Sequence, residues 1–365
     1  MDVINLISKD QRFPNDDGSV PPGDGRKFYT DGPRVHQYIK AMYEEVFGPY
    51  EMVTVGEMSS TTLEHCIRYS SPKEREFSMT FNFHHLKVDY PNGQKWELMP
   101  YDFEAMKSLF TEWQTGMQKG QGWNALFFNN HDQPRALSRF TDDKVYRVES
   151  AKLLATTLHG LQGTPYVYQG EEIGMPNPVW KSIDEFRDIE SLNMYRILCE
   201  QGKSPKTALS ILQERSRDNS RTPMQWDDSR NAGFTTGTPW LKVDERYSDI
   251  NVQKELANPD SIFHHYRKLI ALRKDYGIFI EGVFKRLDDG HPEVFAYART
   301  GDGEALVVVS NFSIKEITFR FEESHWTELS SSGKDELLIG NTTETPALTQ
   351  ELQLSPYGSY MWLIR

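Results

Sequence analysis

Short β-rich runs alternate with longer helix-like stretches over most of the chain. The stretches between the runs repeat apolar residues at helical spacing. The predicted strands are Asp2–Ile7, Glu51–Glu57, Phe77–Phe83, Trp123–Asn130 and Thr164–Gln169. The predicted helices are Val35–Phe47, Phe103–Gln118, Val145–Leu161 and Ser261–Lys274, with helical patches in an irregular segment over 181–215. Strand–helix alternation of this kind predicts a parallel α/β sheet.

The pattern changes near residue 277. Downstream, short strands with alternating apolar residues follow one another, and no long helix is expected between them. These strands are Val294–Ala298, Ala305–Asn311, Glu316–Phe321, Glu336–Ile339, Leu352–Leu354 and Ser359–Leu363. The sequence therefore predicts two domains, an α/β domain over 1–276 and a small antiparallel β-sandwich domain over 277–365.

Charge and cysteine content limit the classes of function. The formal net charge of −12 disfavours nucleic acid and anionic membranes as partners. No stretch approaches the roughly 18 consecutive apolar residues of a membrane span, and no signal-peptide pattern is visible. The two cysteines, Cys66 and Cys199, are too few for a disulfide framework and lack metal-site spacing. We therefore expect a cytoplasmic protein without a metal or other cofactor, unless an export signal precedes residue 1.

Carboxylate side chains lie at the ends of several predicted strands. Glu57 ends the second run, Asp132 follows the fourth, and Glu171 and Glu172 follow the fifth. Because the carboxyl ends of parallel strands carry the chemistry in α/β barrels and sheets, we expect these groups at one mouth. A partly desolvated carboxyl group there can act as a general acid. The alternative for Glu57 and Asp132 is a solvated or salt-bridged loop residue.

Asp2 differs because it lies within an apolar run. A lone carboxylate in a buried strand is costly unless it is hydrogen-bonded or paired, so Asp2 is a candidate nucleophile. The alternative is a solvated residue at a frayed terminus. Several carboxylates at strand ends, in a chain rich in Trp and Tyr, suit the cleavage of a glycosidic bond. One carboxyl group protonates the leaving oxygen, and another attacks or supports the oxocarbenium-like centre.

Six segments resemble conserved regions of glycoside hydrolase family 13, the α-amylase superfamily. The general family features are MDVINLI at 1–7, TVGEMSS at 54–60 and FFNNHDQPR at 127–135. The segment RDNSRTPMQWDDSRNAGFTTGTPW at 217–240 is similar to the α-glucosidase branch, which contains oligo-1,6-glucosidase and trehalose-6-phosphate hydrolase. The segments MTFNFHHLKVDYPNGQKW at 79–96 and SLNMYRIL at 191–198 resemble the trehalose-6-phosphate hydrolases most.

This resemblance implies a fold and roles for individual residues. The fold would be strands four to eight of a TIM (β/α)8 barrel, followed by the antiparallel β-sandwich domain. Asp2 matches the family's nucleophile and Glu57 its general acid/base. Asp132 matches its transition-state stabiliser, and His131 is the sugar-binding neighbour. The implied reaction is a retaining, double-displacement hydrolysis, which needs the carboxyl groups of Asp2 and Glu57 about 5–5.5 Å apart.

The implied substrates are α-linked glucosides. Trehalose 6-phosphate would give glucose and glucose 6-phosphate, and neutral α-1,6-oligosaccharides are the alternative. A phosphate group requires cationic or N–H donors. We expect Lys87 first and Lys95 second, with His84 and His85 as polar neighbours. For each lysine the alternative is a solvated surface charge.

Other charged and aromatic residues have two interpretations. Arg217 and Arg221 form a pair that either lines the substrate site or supports the structure. Trp226 and Trp240 are expected to pack in the interior rather than to serve as platforms for a sugar ring.

The family pattern is incomplete before Asp2. Strands one to three, the small domain inserted after strand three, an Asp-x-x-x-Asn-His segment and the arginine two residues before the nucleophile have no match here. We expect one of three situations. The chain is a fragment with weak or no activity alone, or a second polypeptide supplies the missing half of the barrel, or the chain folds as a dimerised half-barrel. Open apolar strand edges would favour self-association. An inactive fragment without catalysis is the alternative of another class.

Overall fold

A computed structural model of the chain describes residues 1–20, 24–331 and 333–365. Backbone contacts divide the chain into two units. Unit 1 comprises Met1–Leu86, Ala105–Leu126 and Leu161–Tyr166, and unit 2 comprises Lys87–Glu104, Phe127–Gly160 and Val167–Arg365. Within the described ranges, no helix is long and apolar enough to cross a membrane.

Each helix that the apolar spacing predicts is present, with shifted ends. The helices are α1 (Val35–Met42), α2 (Leu63–Ser70), α3 (Phe103–Gly120), α4 (Ala136–Phe140), α5 (Arg147–His159), α6 (Ile189–Glu200), α7 (Pro205–Arg215), α8 (Val252–Ala257), α9 (Ile262–Asp275), α10 (Ile278–Glu281) and α11 (Glu323–Ser331). The strands are β1 (Val55–Glu57), β2 (Met79–Phe81), β3 (Ala125–Leu126), β4 (Thr164–Pro165), β5 (Val283–Arg286), β6 (Val294–Gly301), β7 (Glu304–Asn311), β8 (Ile317–Arg320), β9 (Asp335–Gly340), β10 (Glu351–Leu354) and β11 (Ser359–Ile364). Single 3₁₀ turns include Ile4–Leu6 and His84–Lys87.

The strands of unit 1 are parallel and follow one another in chain order. β1 pairs with β2, with Gly56 opposite Thr80, and β3 pairs with β4. A parallel bridge between Thr80 and Asn124 joins the two pairs. The parallel sheet predicted from the strand–helix alternation is therefore present in this unit. Its core contains Ile4, Val35, Ile39, Met58, Cys66, Tyr69, Phe77, Trp113 and Met117.

The prediction of a strand over Asp2–Ile7 is wrong. Only Met1 pairs with β1: its ammonium nitrogen donates to the Val55 carbonyl at 2.8 Å, and its carbonyl accepts from the Glu57 amide at 3.0 Å. Val3 then has a φ of 36°, and a 3₁₀ turn follows. The apolar pattern misled because Val3 and Ile7 are exposed in this structure, and only Ile4 and Asn5 of the turn are buried.

Unit 2 contains the antiparallel strands. Five strands pair in the order β5–β6–β7–β11–β9, and β8 pairs with β10. Both sheets contribute to one core, which includes Val307, Phe319, Leu352 and Trp362. The short strands predicted after residue 277 are all present. The sequence prediction missed β5 and the short helix α11, which has nine residues.

A buried arginine links β6 to the ends of two helices of unit 2. Arg299 has 0% exposed surface. Its guanidinium donates to the carbonyl oxygens of Gly282, Phe279 and Gly160 at distances from 2.6 to 3.3 Å. These carbonyls belong to the C-terminal ends of α10 and α5, where helices leave backbone acceptors without helical partners. Burial lowers the arginine's pKa to about 10, so it is still charged at neutral pH.

We expect Arg299→Met to lower the free energy of unfolding by about 3 kcal/mol, because three buried carbonyl oxygens would lose their donors. Thermal unfolding followed by circular dichroism measures the change. The matched control is Arg320→Met, which removes an exposed guanidinium from β8 and should cost less than about 0.5 kcal/mol. Equal losses in the two variants would contradict this role of Arg299.

Candidate active site

Glu57 is the last residue of β1, and the glycine before it allows the close packing there. A Cβ atom added to Gly56 would lie 2.3 Å from Met58 Cε and 2.8 Å from the Phe77 ring, so a larger residue would displace both side chains. Glu57 is itself partly exposed, and its amide donates to the Met1 carbonyl. A partly buried carboxyl group at a strand end has the access to solvent and ligand that proton transfer requires.

Asp2 lies on the surface of unit 1 and not inside a buried strand, which corrects the expectation from the sequence. Its backbone is nevertheless held, because the residue before it makes two hydrogen bonds with β1. The alternative of a solvated residue agrees with the exposure of Asp2, although Met1 before it is hydrogen-bonded to β1. The structure places Asp2 directly after the residue that pairs with Glu57.

The two histidines expected near a phosphate pack against α3. The His84 ring centroid lies 5.1 Å from that of Trp113, and the His85 centroid lies 5.3 Å from that of Phe110. His85 is buried. Lys87 is an exposed residue at the end of the same turn. Sequence reasoning missed these ring contacts, and the proposed polar role of His84 stays a prediction.

Two arginines of unit 2 contact Asp132. Arg221 Nη2 donates to Asp132 Oδ1 at 2.8 Å, and Arg217 Nη1 lies 3.4 Å from the same oxygen. The Arg221 Nε also donates to the His131 carbonyl at 2.7 Å, and His131 Nε2 lies 3.6 Å from Asp132 Oδ2. Arg135, three residues after Asp132, is buried and donates to backbone carbonyls and a threonine hydroxyl.

Lys95 belongs to the same group of charges. Its Nζ lies 2.7 Å from Glu190 Oε2 and 4.8 Å from the centroid of the Trp96 ring. Burial lowers the pKa of Lys95, although the Glu190 carboxylate opposes the shift. Arg217 lies between two carboxylates, with Nε 3.3 Å from Glu190 and Nη2 2.7 Å from Asp188. Burial alone would raise the pKa of Asp188, but the contact with Arg217 outweighs it and the pKa is lowered.

We call these six residues the charged cluster. Its members balance three cations against three carboxylates: Lys95, Arg217, Arg221, Asp132, Asp188 and Glu190. The arginine pair therefore supports the structure around Asp132, and Arg221 also lines an open cleft. Within the described part of the chain, no group of three or more His, Cys, Asp or Glu side chains is arranged to hold a metal ion.

The cleft beside Arg221 has an aromatic wall. It has a volume of about 430 Å³, and its lining includes Trp226, Phe234 and Trp240. These side chains are 50%, 44% and 57% exposed, so the expectation that the two tryptophans pack in the interior is wrong. The available signal was the Gly-, Pro- and Asn-containing tract around them, which predicts loops that cannot cover large side chains. Exposed aromatic faces with a few polar groups are typical of ligand sites.

Glu171 is buried, which does not fit the expected position at an open mouth. It accepts a hydrogen bond from Asn129 Nδ2, and the Tyr266 hydroxyl lies 3.4 Å away. Burial raises its pKa to about 8, although the Asn129 bond opposes the shift. Asn129 Oδ1 in turn accepts from the Ala136 amide at 2.7 Å. Glu171 therefore supports the segment that begins two residues before His131, and no catalytic role follows from its position.

Two family profiles match the chain. The alpha amylase catalytic domain matches residues 1–282, and the alpha-amylase SusG C-terminal domain matches residues 294–361. The first match includes Asp2, Glu57 and every residue of the charged cluster. The second lies within the antiparallel sheets of unit 2.

Curated and solved proteins are similar over the whole chain. A trehalose-6-phosphate hydrolase of Bacillus subtilis (strain 168) is 53% identical over 99% of this chain and 63% of its own length. An oligo-1,6-glucosidase of Parageobacillus thermoglucosidasius is 44% identical over 100% of this chain and 65% of its own. The crystal structure of Bacillus licheniformis trehalose-6-phosphate hydrolase has a TM-score of 0.94 and 52% identity, covering 100% of this chain and 64% of that one. The chain thus spans less than two thirds of each relative.

We expect Glu171→Gln to stabilise the protein more at pH 8 than at pH 5. The folded protein retains the Glu171 proton up to about pH 8, whereas the unfolded chain loses it near the ordinary glutamate pKa of about 4.5. The wild type therefore loses stability as pH rises through this window, and glutamine does not titrate. The advantage of the variant should grow by about 3 kcal/mol between pH 5 and pH 8.

Urea unfolding of both proteins at the two pH values measures this difference. The matched control is Glu200→Gln, which changes an exposed residue of α6 and should show no such growth. An advantage of Glu171→Gln that stays constant with pH would mean that Glu171 ionises in the folded protein as it does in the unfolded chain.

Proposed function

Because this chain belongs to the alpha-amylase family, we propose that it acts in retaining hydrolysis of an α-glucosidic bond, with trehalose 6-phosphate as the substrate. The products are glucose and glucose 6-phosphate. The observation that carries the proposal is the 53% identity, over 99% of the chain, to a trehalose-6-phosphate hydrolase. Because the chain spans 63% of the length of that relative, we propose the relative's activity for this chain and do not state it as established.

Three carboxylates have the proposed catalytic roles. Asp2 attacks the anomeric carbon while the Glu57 carboxylic acid protonates the glycosidic oxygen, so that the carbon–oxygen bond breaks and a glucosyl–enzyme ester forms. Glu57, now ionised, takes a proton from water, which attacks the ester and releases glucose with Asp2 restored. Asp132 supports the positive charge of the oxocarbenium-like transition state, and His131 contacts the sugar.

The order of the parallel strands in unit 1 supports a more detailed proposal for the fold. Met1 beside β1, then β2, β3 and β4, correspond to strands four to eight of a (β/α)8 barrel. The domain limits remain 1–276 and 277–365. We place the activity in the cytoplasm, because Cys66 and Cys199 are free thiols and a phosphate ester does not diffuse through a lipid bilayer. Self-association through strand edges stays a prediction.

Lys87 and Lys95 are the proposed phosphate contacts, and their surroundings differ. Lys87 is exposed, so a phosphate can reach it without displacing buried groups. Lys95 is ion-paired with Glu190 in the charged cluster. A phosphate bound to Lys95 would have to compete with this carboxylate, because an ammonium group carries a single positive charge. The exposure of Lys87 is what keeps it the first candidate for the phosphate contact.

The substrate is tested with three disaccharides at equal concentration. We expect trehalose 6-phosphate to be hydrolysed at least about 10-fold faster than trehalose or isomaltose, since one charge-assisted phosphate contact contributes about 1.5–3 kcal/mol. Glucose release measured by a coupled assay gives the rates. Equal rates on trehalose and trehalose 6-phosphate would contradict the proposal that the site recognises a phosphate group. Faster hydrolysis of isomaltose would favour the oligo-1,6-glucosidase alternative.

Single variants then separate chemistry from phosphate binding. Glu57→Gln should reduce hydrolysis of every substrate to background, because glutamine cannot protonate the leaving oxygen. Lys87→Ala should raise KM for trehalose 6-phosphate about 10-fold and leave isomaltose unaffected. The matched control is Lys206→Ala, an exposed lysine of α7, which should change neither. Equal losses with both substrates in Lys87→Ala would contradict a phosphate contact.

A chain without catalysis is the second candidate. The discriminating observation is turnover. The absence of hydrolysis of any α-glucoside would favour this candidate, and hydrolysis that Glu57→Gln abolishes would exclude it. In that case the cleft with Trp226, Phe234 and Trp240 would be left as a sugar-binding surface. Tryptophan fluorescence titrated with trehalose measures that binding without requiring activity.

A further inference from the structure

We propose that Asn5 is a positioning residue, which fixes the segment that carries Asp2 against the segment that carries Glu57. This inference rests on the proposed catalytic roles of those two carboxylates. All of the contacts that support it lie within unit 1.

The Asn5 side chain imitates a backbone pairing with Ser59. Its Nδ2 donates to the Ser59 carbonyl at 2.8 Å, and its Oδ1 accepts from the Ser59 amide at 2.9 Å. Asn5 has 0% exposed surface, so these bonds are shielded from water. A primary amide has the donor and acceptor geometry of a peptide group, and few other side chains can satisfy both partners.

A second contact determines the orientation of the amide. Asn5 Nδ2 also donates to Asp31 Oδ1 at 3.1 Å, and the Asp31 amide donates to the Asn5 carbonyl at 3.0 Å. The buried Tyr69 hydroxyl donates to the same Asp31 oxygen at 2.7 Å. Because Nδ2 has one acceptor for each of its hydrogens, the side chain has a single favourable orientation.

Two anchors therefore flank the two candidate carboxylates. Met1 pairs with β1 before Asp2, and Asn5 pairs with Ser59 after it. On the facing segment, Glu57 lies between Val55, which accepts from Met1, and Ser59, which pairs with Asn5. A segment that is fixed at both ends cannot shift along its neighbour, so the distance between the carboxyl groups is restrained.

The backbone between the anchors is strained. Val3 has a φ of 36°, in the left-handed region that β-branched residues rarely adopt. Such a conformation persists only where surrounding contacts determine it, and Asn5 supplies these contacts two residues later. Without the Asn5 amide, the segment would be free to relax toward an extended backbone and to carry Asp2 with it.

The test compares Asn5→Ala with a matched variant of another buried amide. Gln114 is 2% exposed and makes the same kind of clamp in unit 1: it donates to the Gln162 carbonyl at 2.9 Å and accepts from the Gln162 amide at 2.7 Å. Gln114→Ala therefore removes an equivalent pair of hydrogen bonds from a site that does not contact Ser59. Both variants are measured with 4-nitrophenyl α-glucoside and by hydrogen exchange.

We expect Asn5→Ala to lower kcat about 10- to 100-fold with KM changed less than threefold, because misplaced reacting groups slow the chemical step. Gln114→Ala should lower the melting temperature similarly but reduce kcat less than threefold. Equal losses of kcat in the two variants would show that Asn5 acts only through stability and would overturn the inference.

Hydrogen exchange decides the question even if the chain has no turnover, in which case the proposed function fails by itself. Peptides covering 1–8 and 55–61 should exchange faster in Asn5→Ala than in wild type, because the clamp on Ser59 is lost. In Gln114→Ala the faster exchange should be confined to peptides around residues 114 and 162. Unchanged exchange over 55–61 in Asn5→Ala would overturn the inference.

Asn5→Asp adds a pH-dependent readout. This substitution keeps an acceptor for the Ser59 amide but removes both donors and places a second carboxylate beside Asp31 Oδ1. Because two adjacent carboxyl groups share a proton at low pH, the hydrogen bond to Asp31 should re-form as pH falls. Exchange over 55–61 in Asn5→Asp should therefore approach that of wild type near pH 4.5 and exceed it at pH 7. The same excess at both pH values would contradict the proposed contact.

Discussion

The backbone pair between Met1 and β1 is the contact on which the arrangement of unit 1's carboxylates depends. A parallel strand pair places equivalent residues of two segments side by side, so a carboxylate following each segment lies at the same edge of the sheet. Gly56 makes this possible on one side, because a Cβ atom there would meet Met58 and Phe77. On the other side the chain turns immediately after Asp2, which leaves that residue at the surface.

The carboxylates of the charged cluster have different partners from the buried carboxyl group of Glu171. Asp132 and Asp188 each face guanidinium groups, whereas Glu171 has an amide and a distant hydroxyl as partners. The positive charge near Asp132 is local and balanced, so the overall charge of −12 does not describe the environment that a ligand would meet. Steering of an anionic substrate must then depend on exposed cations rather than on the net field.

Much of the fold could be predicted because the elements are periodic. The apolar spacing in α3 and α9 and the short apolar runs of β6 and β7 predict a helix or a strand whatever their tertiary partners, and the structure contains these elements. The segment Asp2–Ile7 failed for the opposite reason. Only Ile4 and Asn5 of the turn are buried, and Asn5 makes hydrogen bonds to residues more than twenty positions away. The sequence contains no local sign of those partners.

The candidate site could be predicted only as far as residue types at strand ends. Glu57 and Asp132 are candidates on this ground, and Asp2 is a candidate because it is a carboxylate in an apolar run. Their partners could not be predicted, because Arg221 lies 89 positions after Asp132 and loops bring them together. The partners also limit which chemistry is available: a lysine that is already paired, as Lys95 is with Glu190, offers a phosphate less than its charge alone suggests. Specificity in such a site therefore depends on the partners that the fold gives to each cation, and a list of basic residues does not contain that information.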